Sequence, residues 1–188
     1  MFQKGRLVRP FLWPINIHMS NNEFHKKIQD LPQFNEELYN RLHNSKEYGY
    51  NWLDIYNKYH IHDPRVIKVL RIEDDVVVME KLTGFTLDDT QKLRQLSIEQ
   101  RRYIVNEVMD IYNKQFQFKD SILGPRDIWA HGDFFLQNLM YSDGQVRLID
   151  PESFGKRSLE LQETNMRYGK FFETLTKLMC FLNESYGD

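Results

Sequence analysis

Four stretches of the chain place apolar residues at the i, i+3, i+4 spacing of an amphipathic helix. Phe34, Leu38 and Leu42 mark the first, over Phe34–His43, and Trp52, Ile55, Tyr56 and Tyr59 mark the second, over Tyr50–Tyr59. The third opens at Ser97. There Ser97-Ile98-Glu99-Gln100 fits a capping box, in which the serine oxygen meets an orphan amide and the glutamine side chain reaches back. Ile104, Val105, Val108, Ile111, Tyr112 and Phe116 then share one face. The fourth spans Tyr168–Leu182, with Phe171, Leu175, Leu178, Met179 and Leu182 on one side. Two runs rich in β-branched residues, Val66–Leu70 and Val76–Met79, flank the polar stretch Arg71–Asp75 and predict an antiparallel hairpin. Glu80-Lys81-Leu82-Thr83-Gly84 then breaks the pattern as a connector, and Gly124-Pro125 breaks the chain again before Ile128-Trp129-Ala130. Near the start, Leu7–Phe11 and Trp13–Ile17 fit short strands that Pro10 and Pro14 confine to an edge.

Composition narrows the classes. With 41% hydrophobic and 14% aromatic residues, the 188-residue chain has ample material for a packed core and is not a disordered polar chain. A net charge of −2 excludes a strongly basic nucleic-acid binder. No apolar run reaches the length of a membrane span, and the single cysteine, Cys180, excludes an internal disulfide, so a cytoplasmic protein with no membrane and no nucleic-acid partner is expected. Cys180 lies on the apolar face of the last helix and reads as core. His60 and His62, beside Asp63, lack further ligands at zinc spacing and read as a polar loop.

The chemistry lies in His131-Gly132-Asp133-Phe134-Phe135-Leu136-Gln137-Asn138, followed by Leu148-Ile149-Asp150. Asp143-Gly144 is a two-residue hairpin turn between Leu139-Met140-Tyr141 and Val146–Ile149. That turn sets Asn138 opposite Ile149 and beside Asp150, with Asp133 in the loop before it. Hard oxygen donors converging next to a carboxylate suit Mg²⁺, which keeps waters and takes phosphate oxygens as its other ligands.

The pattern His-Gly-Asp-x-x-x-x-Asn followed by Ile-Asp resembles the catalytic core of the aminoglycoside phosphotransferase and choline kinase group, a small-molecule branch of the protein-kinase-like fold. The resemblance covers roughly residues 66–152. Five of these fixed residues, His131, Gly132, Asp133, Asn138 and Asp150, coincide at their spacings about once in millions of windows at average usage. It implies an α+β, two-lobed, protein-kinase-like fold with a reduced β-rich N-lobe and hinge over residues 1–82 and a truncated helical C-lobe over 83–188. It further implies Mg²⁺- and ATP-dependent phosphoryl transfer to a hydroxyl of a small-molecule or sugar-like acceptor. Asp133 would be the catalytic base, Asn138 and Asp150 the metal ligands, and His131 a group that ties the loop to nearby backbone or to the metal-side carboxylate. Glu152 would assist at the metal or stand as a solvated loop acid. Met79 would line the back of the nucleobase pocket of ATP or GTP, with backbone groups of Glu80 and Leu82 binding the base.

Two departures from the family pattern shape the expectation. Residues 1–48 hold one glycine, Gly5, and so no Gly-rich phosphate loop. A strand lysine paired to Glu36 or Glu37 should fall near Ile17-His18-Met19, where there is none, leaving Lys4, Arg6, Arg9, Lys26 and Lys27 as candidates by proximity. A displaced cation could serve instead, or the protein is a catalytically weak or inactive pseudokinase that serves as a nucleotide-binding or interaction module. The short stretch after Asp150 implies an acceptor site that is shallow, completed by a second subunit in a homo-oligomer, or fitted to a large substrate. Lys156 and Arg157 read as solvated residues close enough to meet an anionic acceptor. A protein kinase is the least supported reading, because Ile149-Asp150-Pro151 replaces Asp-Phe-Gly and no Ala-Pro-Glu follows.

Overall fold

The computed structural model describes residues 22–27, 51–73, 76–119, 122–160, 163 and 169–183. The expected helix over Phe34–His43 and the expected strands at Leu7–Phe11 and Trp13–Ile17 lie outside them. The described residues form a mixed α+β protein with small antiparallel sheets and four helices.

The first sheet has β1 (Glu23–Lys27), β2 (Val69–Glu73) and β3 (Val76–Glu80) in the order β1-β3-β2, all antiparallel. The β-branched run of β3 takes the centre, where Val77, Val78 and Met79 are buried. The run Val66–Leu70, expected as one strand, is divided. Val66 makes a parallel bridge to Leu148, and the Ile67 amide donates to the Leu148 carbonyl at 2.8 Å. The strand begins only at Val69 and continues through Arg71, Ile72 and Glu73, residues expected to separate the two strands. Burial explains the division: Val66 and Ile67 fill the junction with the next sheet, and one straight strand cannot serve both.

That next sheet has the order β4 (Gly84–Thr86), β6 (Leu139–Ser142), β7 (Gln145–Leu148), while β5 (Asp127–His131) pairs with β8 (Phe154–Ser158). Glu80 therefore ends a strand and Gly84 begins one, which shortens the connector to Lys81-Leu82-Thr83.

Helix α1 (Trp52–His62) is capped by Asn51, whose side chain accepts from the Leu53 and Asp54 amides. Its aromatic face is tied to the segment before β2 and to β8. The Tyr56 hydroxyl donates to the Ile67 carbonyl at 2.7 Å and the Trp52 indole to the Phe154 carbonyl at 3.0 Å. His60 and His62 occupy its last turn rather than a loop, and their ring nitrogens meet the Val66 carbonyl at 2.7 Å and the Lys114 carbonyl at 3.2 Å. After the short α2 (Thr90–Gln95), α3 (Ile98–Gln115) starts with both halves of its capping box made: Gln100 N–H to Ser97 Oγ at 3.2 Å and Ser97 N–H to Gln100 Oε1 at 2.9 Å. Tyr112 on α3 stacks on Phe171 of α4 (Lys170–Asn183) with centroids 3.6 Å apart. Phe171, Thr174 and Leu178 form the buried seam of α4, so Met179, turned about 100° further round the axis, is 43% exposed and Cys180 faces outward instead of into the core. One hydrophobic core runs through all these elements, from Trp52 to Leu178.

Candidate active site

The Asp143-Gly144 turn has positive φ at both positions, 50° and 78°, the combination whose twist matches the flanking strands. It pairs Leu139 with Leu148 and Ser142 with Gln145, the register expected from the turn. One step further, the Ile149 amide donates to the Asn138 carbonyl at 2.9 Å. The Asn138 side-chain nitrogen donates to the Asp133 carbonyl at 2.8 Å and to the Asp133 carboxylate at 3.2 Å. Asp133 and Asn138 are thus joined, and Asn138 adjoins the Ile149-Asp150 strand end. Asp150 itself sits in the left-handed region, φ 70° and ψ 58°, which an aspartate tolerates better than most residues. A single 3₁₀ turn follows, Pro151–Ser153, and places Glu152 beside Asp150.

Between those two carboxylates lies the ammonium of Lys26, bonded to both. Lys26 reaches them because β1 pairs with β3 in a register that sets Lys26 against Val77 and Phe24 against Met79. The lysine is 17% exposed and Glu152 only 8%. Burial works against the charge of Lys26, yet Glu152 and Asp150 more than reverse this and raise its pKa above the ordinary lysine value. Burial, with the neighbouring Asp150 charge, pushes Glu152 up to about 8 despite the lysine. Burial also opposes the charge of Asp150, but the Glu152 hydrogen bond and Lys26 hold it below its ordinary value, so Asp150 is the ionised member of the pair. This lysine is the residue that sequence reasoning did not single out. Its signal was the alternation of Phe24 and Lys26 on one strand face, but the expected strand was set by spacing from Glu36 or Glu37, outside the described residues.

A cavity of about 340 Å³ opens beside this cluster, and Lys26 and Asp150 line it. Met79, Glu80 and Leu82, the residues assigned to a nucleobase, line the same cavity. Glu80 is braced: its carboxylate accepts from the Lys68 amide at 2.8 Å and binds Arg147, while its own amide donates to the Lys68 carbonyl at 3.0 Å. Asp133, His131 and Asn138 are outside the cavity lining and connect to it through the polypeptide around Ile149 and Asp150.

His131 makes that connection. It is buried, and its Nε2–H donates to the Ile149 and Asp150 carbonyls at 3.0 and 2.9 Å, while Nδ1 accepts the Asp133 amide at 3.3 Å. Burial lowers its pKa against the pull of Asp150, which keeps the ring neutral with its proton on Nε2. His131 therefore clamps backbone to backbone and does not touch the Asp150 carboxylate. Beside it, Arg157 is half-buried rather than freely solvated: its guanidinium covers Gly132 and donates to the Ser153 carbonyl at 3.0 Å. Lys156 is exposed and pairs with Asp127 at 2.8 Å.

No protein-family model matches the chain, and no curated protein matches it. Among the described residues no helix is long and apolar enough to cross a membrane. Among the same residues no three His, Cys, Asp or Glu side chains are grouped to hold a metal ion.

Proposed function

We propose that this chain is a Mg²⁺-ATP-dependent phosphotransferase that acts on a hydroxyl of a small-molecule or sugar-like acceptor, on a protein-kinase-like fold similar to that of the aminoglycoside phosphotransferase and choline kinase group. The supporting observation is the Lys26 ammonium on Asp150 and Glu152, in the wall of the cavity that Met79, Glu80 and Leu82 also line. A cation at the phosphate end and strand-end backbone at the base end are what a nucleoside triphosphate requires.

The donor set fits a hard cation. Two carboxylates already share one positive group, and the Asn138 nitrogen is spent on Asp133, so its oxygen is the end available to a metal. Asp150, Glu152 and Asn138 would hold Mg²⁺, which supplies charge neutralisation at the nucleotide phosphates. The protein's own residues do the rest. Lys26 lends its charge to the phosphates, His131 keeps the Asp133 and Asp150 loops in register, and Asp133 accepts the acceptor's proton as its oxygen bonds to the γ-phosphorus and the bond to the β-phosphate oxygen breaks. Lys26 supplies the charge whose apparent absence favoured an inactive module, and so supports an active enzyme. The test is radiolabelled ATP with Mg²⁺ and a panel of aminoglycosides, sugars and amino alcohols. Asp133→Asn should lose at least about 100-fold in turnover, while retaining the thermal stabilisation that ATP confers. Full turnover in that variant would rule the mechanism out.

A further inference from the structure

The motif glycine has no conformational reason to be glycine, since Gly132 is not among the positive-φ residues. The reason is spatial. A Cβ at Gly132 would lie inside the Arg157 guanidinium, 2.6 Å from Cζ and 2.7 Å from Nε, with Nη2 closer still. The guanidinium therefore packs directly against the glycine and leaves no room for a side chain there. Arg157 arrives there from β8, where it is paired with Ile128 of β5, while Gly132 directly follows β5. One carbonyl joins the two: Ser153 O accepts the Gly132 amide at 2.9 Å and Arg157 Nη2 at 3.0 Å. Ser153 ends the short turn that carries Glu152.

We propose that Arg157 is a positioning residue for Asp133: its guanidinium, packed on Gly132 and bonded to the Ser153 carbonyl, holds the His131-Gly132-Asp133 segment against the loop bearing Asp150 and Glu152. The inference rests on the reading of Asp133 as the base. On its C-terminal side Asp133 is fixed by its own carbonyl, which accepts from Phe135 N–H at 3.1 Å and from Asn138 at 2.8 Å. On the N-terminal side the Gly132–Ser153 bond under Arg157 supplements the longer Asp133–His131 bond. Arginine reaches across with a broad planar cation and several directed donors, whereas lysine offers only a compact ammonium and glutamine is shorter and uncharged. Displacement of a base by about 1 Å is enough to cost on the order of 100-fold in rate.

The test uses the full chain with Mg²⁺ and ATP, water being the acceptor. Arg157→Gln should lower kcat for hydrolysis by about 10- to 100-fold, with KM for ATP within about twofold. Gly132→Ala should copy this by evicting the guanidinium, and Arg157→Lys should not rescue it. In an Asp133→Asn background, Arg157→Gln should add nothing, because it acts through Asp133. An equal further loss there, or an unchanged kcat in Arg157→Gln, overturns the proposal. Amide hydrogen exchange separates this from failure of the phosphotransfer reading. If the wild type turns over no ATP and modifies no acceptor, that reading fails. Loss of Gly132 amide protection in Arg157→Gln, with α3 amides unchanged, would still support the positioning role, and retained protection would overturn it. Should Arg157→Gln unfold, Arg157→Lys carries the same comparison.

Discussion

Two clusters in this protein each gather carboxylates around one cation, and they differ in what they can release. Arg65 is 13% exposed and Lys26 17%, so burial does not distinguish them. Arg65 grips Asp63 with two parallel bonds of 2.8 Å and also reaches Glu107 at 3.1 Å and Asp110 at 2.6 Å. Burial opposes its charge, but the bonds to Asp63 and Asp110 more than compensate. Its partners come from the end of α1 and from α3, so the guanidinium fastens two elements. Lys26 instead places a rounded ammonium on two acids of one short loop, and that loop lines a cavity. A planar fork is matched to fixed carboxylates, whereas an ammonium is a point charge for which another cation can substitute. The first cluster fastens two elements, and the second sets its ammonium on a loop in a cavity wall, where the proposed Mg²⁺ would share the same acids.

Breaking each cluster should separate the two roles. The largest effect is expected for Arg65→Met, which leaves Asp63 buried without its main cation. Urea unfolding should show a loss of about 3–5 kcal/mol, with turnover per folded molecule unchanged. A loss near zero would place Arg65 with ordinary surface pairs. Lys26→Met should behave in the opposite way. ATP turnover should fall about 100-fold or more, whereas stability should fall by only about 1 kcal/mol, because Glu152, pushed up to about 8, already carries a proton near neutral pH and only Asp150 loses a charged partner. Added Mg²⁺ should restore that lost stability in thermal melts, and a failure to do so would mean that the two acids are not a cation site. Arg65→Lys keeps the charge but not the fork and should cost about 1–2 kcal/mol. The smallest effect is expected for Glu107→Ala, about 0.5 kcal/mol, since Glu107 is the most distant partner of Arg65 and Asp63 and Asp110 remain bonded.

The contrast also shows which parts of the molecule could be read in advance. The α3 start was legible because Ser97 and Gln100 form the cap within one turn of each other. The β6–β7 register was legible because Asp143-Gly144 alone sets the twist. The seam of α4 was legible as a stripe, though Met179 and Cys180 at its edge turned outward once Phe171 and Leu178 had packed on α3. The division of Val66–Leu70 between two sheets was not legible, since a β-branched run carries no mark of which neighbour each residue will pair with. Arg157 read as solvated for a similar reason, because Gly132 is near it only after β5 and β8 pair.

The candidate site follows the same rule. Asp133, Asn138, Asp150 and His131 stand within 20 residues of one another, and a single turn brings them together, so short-range chemistry was enough to place them. Lys26 is 124 residues from Asp150 and 126 from Glu152 along the chain. No local preference spans such a distance. Which of five basic residues would meet the acids depended on the register of β1 on β3, and that register is set by side chains packing in three dimensions, because a one-residue slip would turn Lys26 to the opposite face of the sheet.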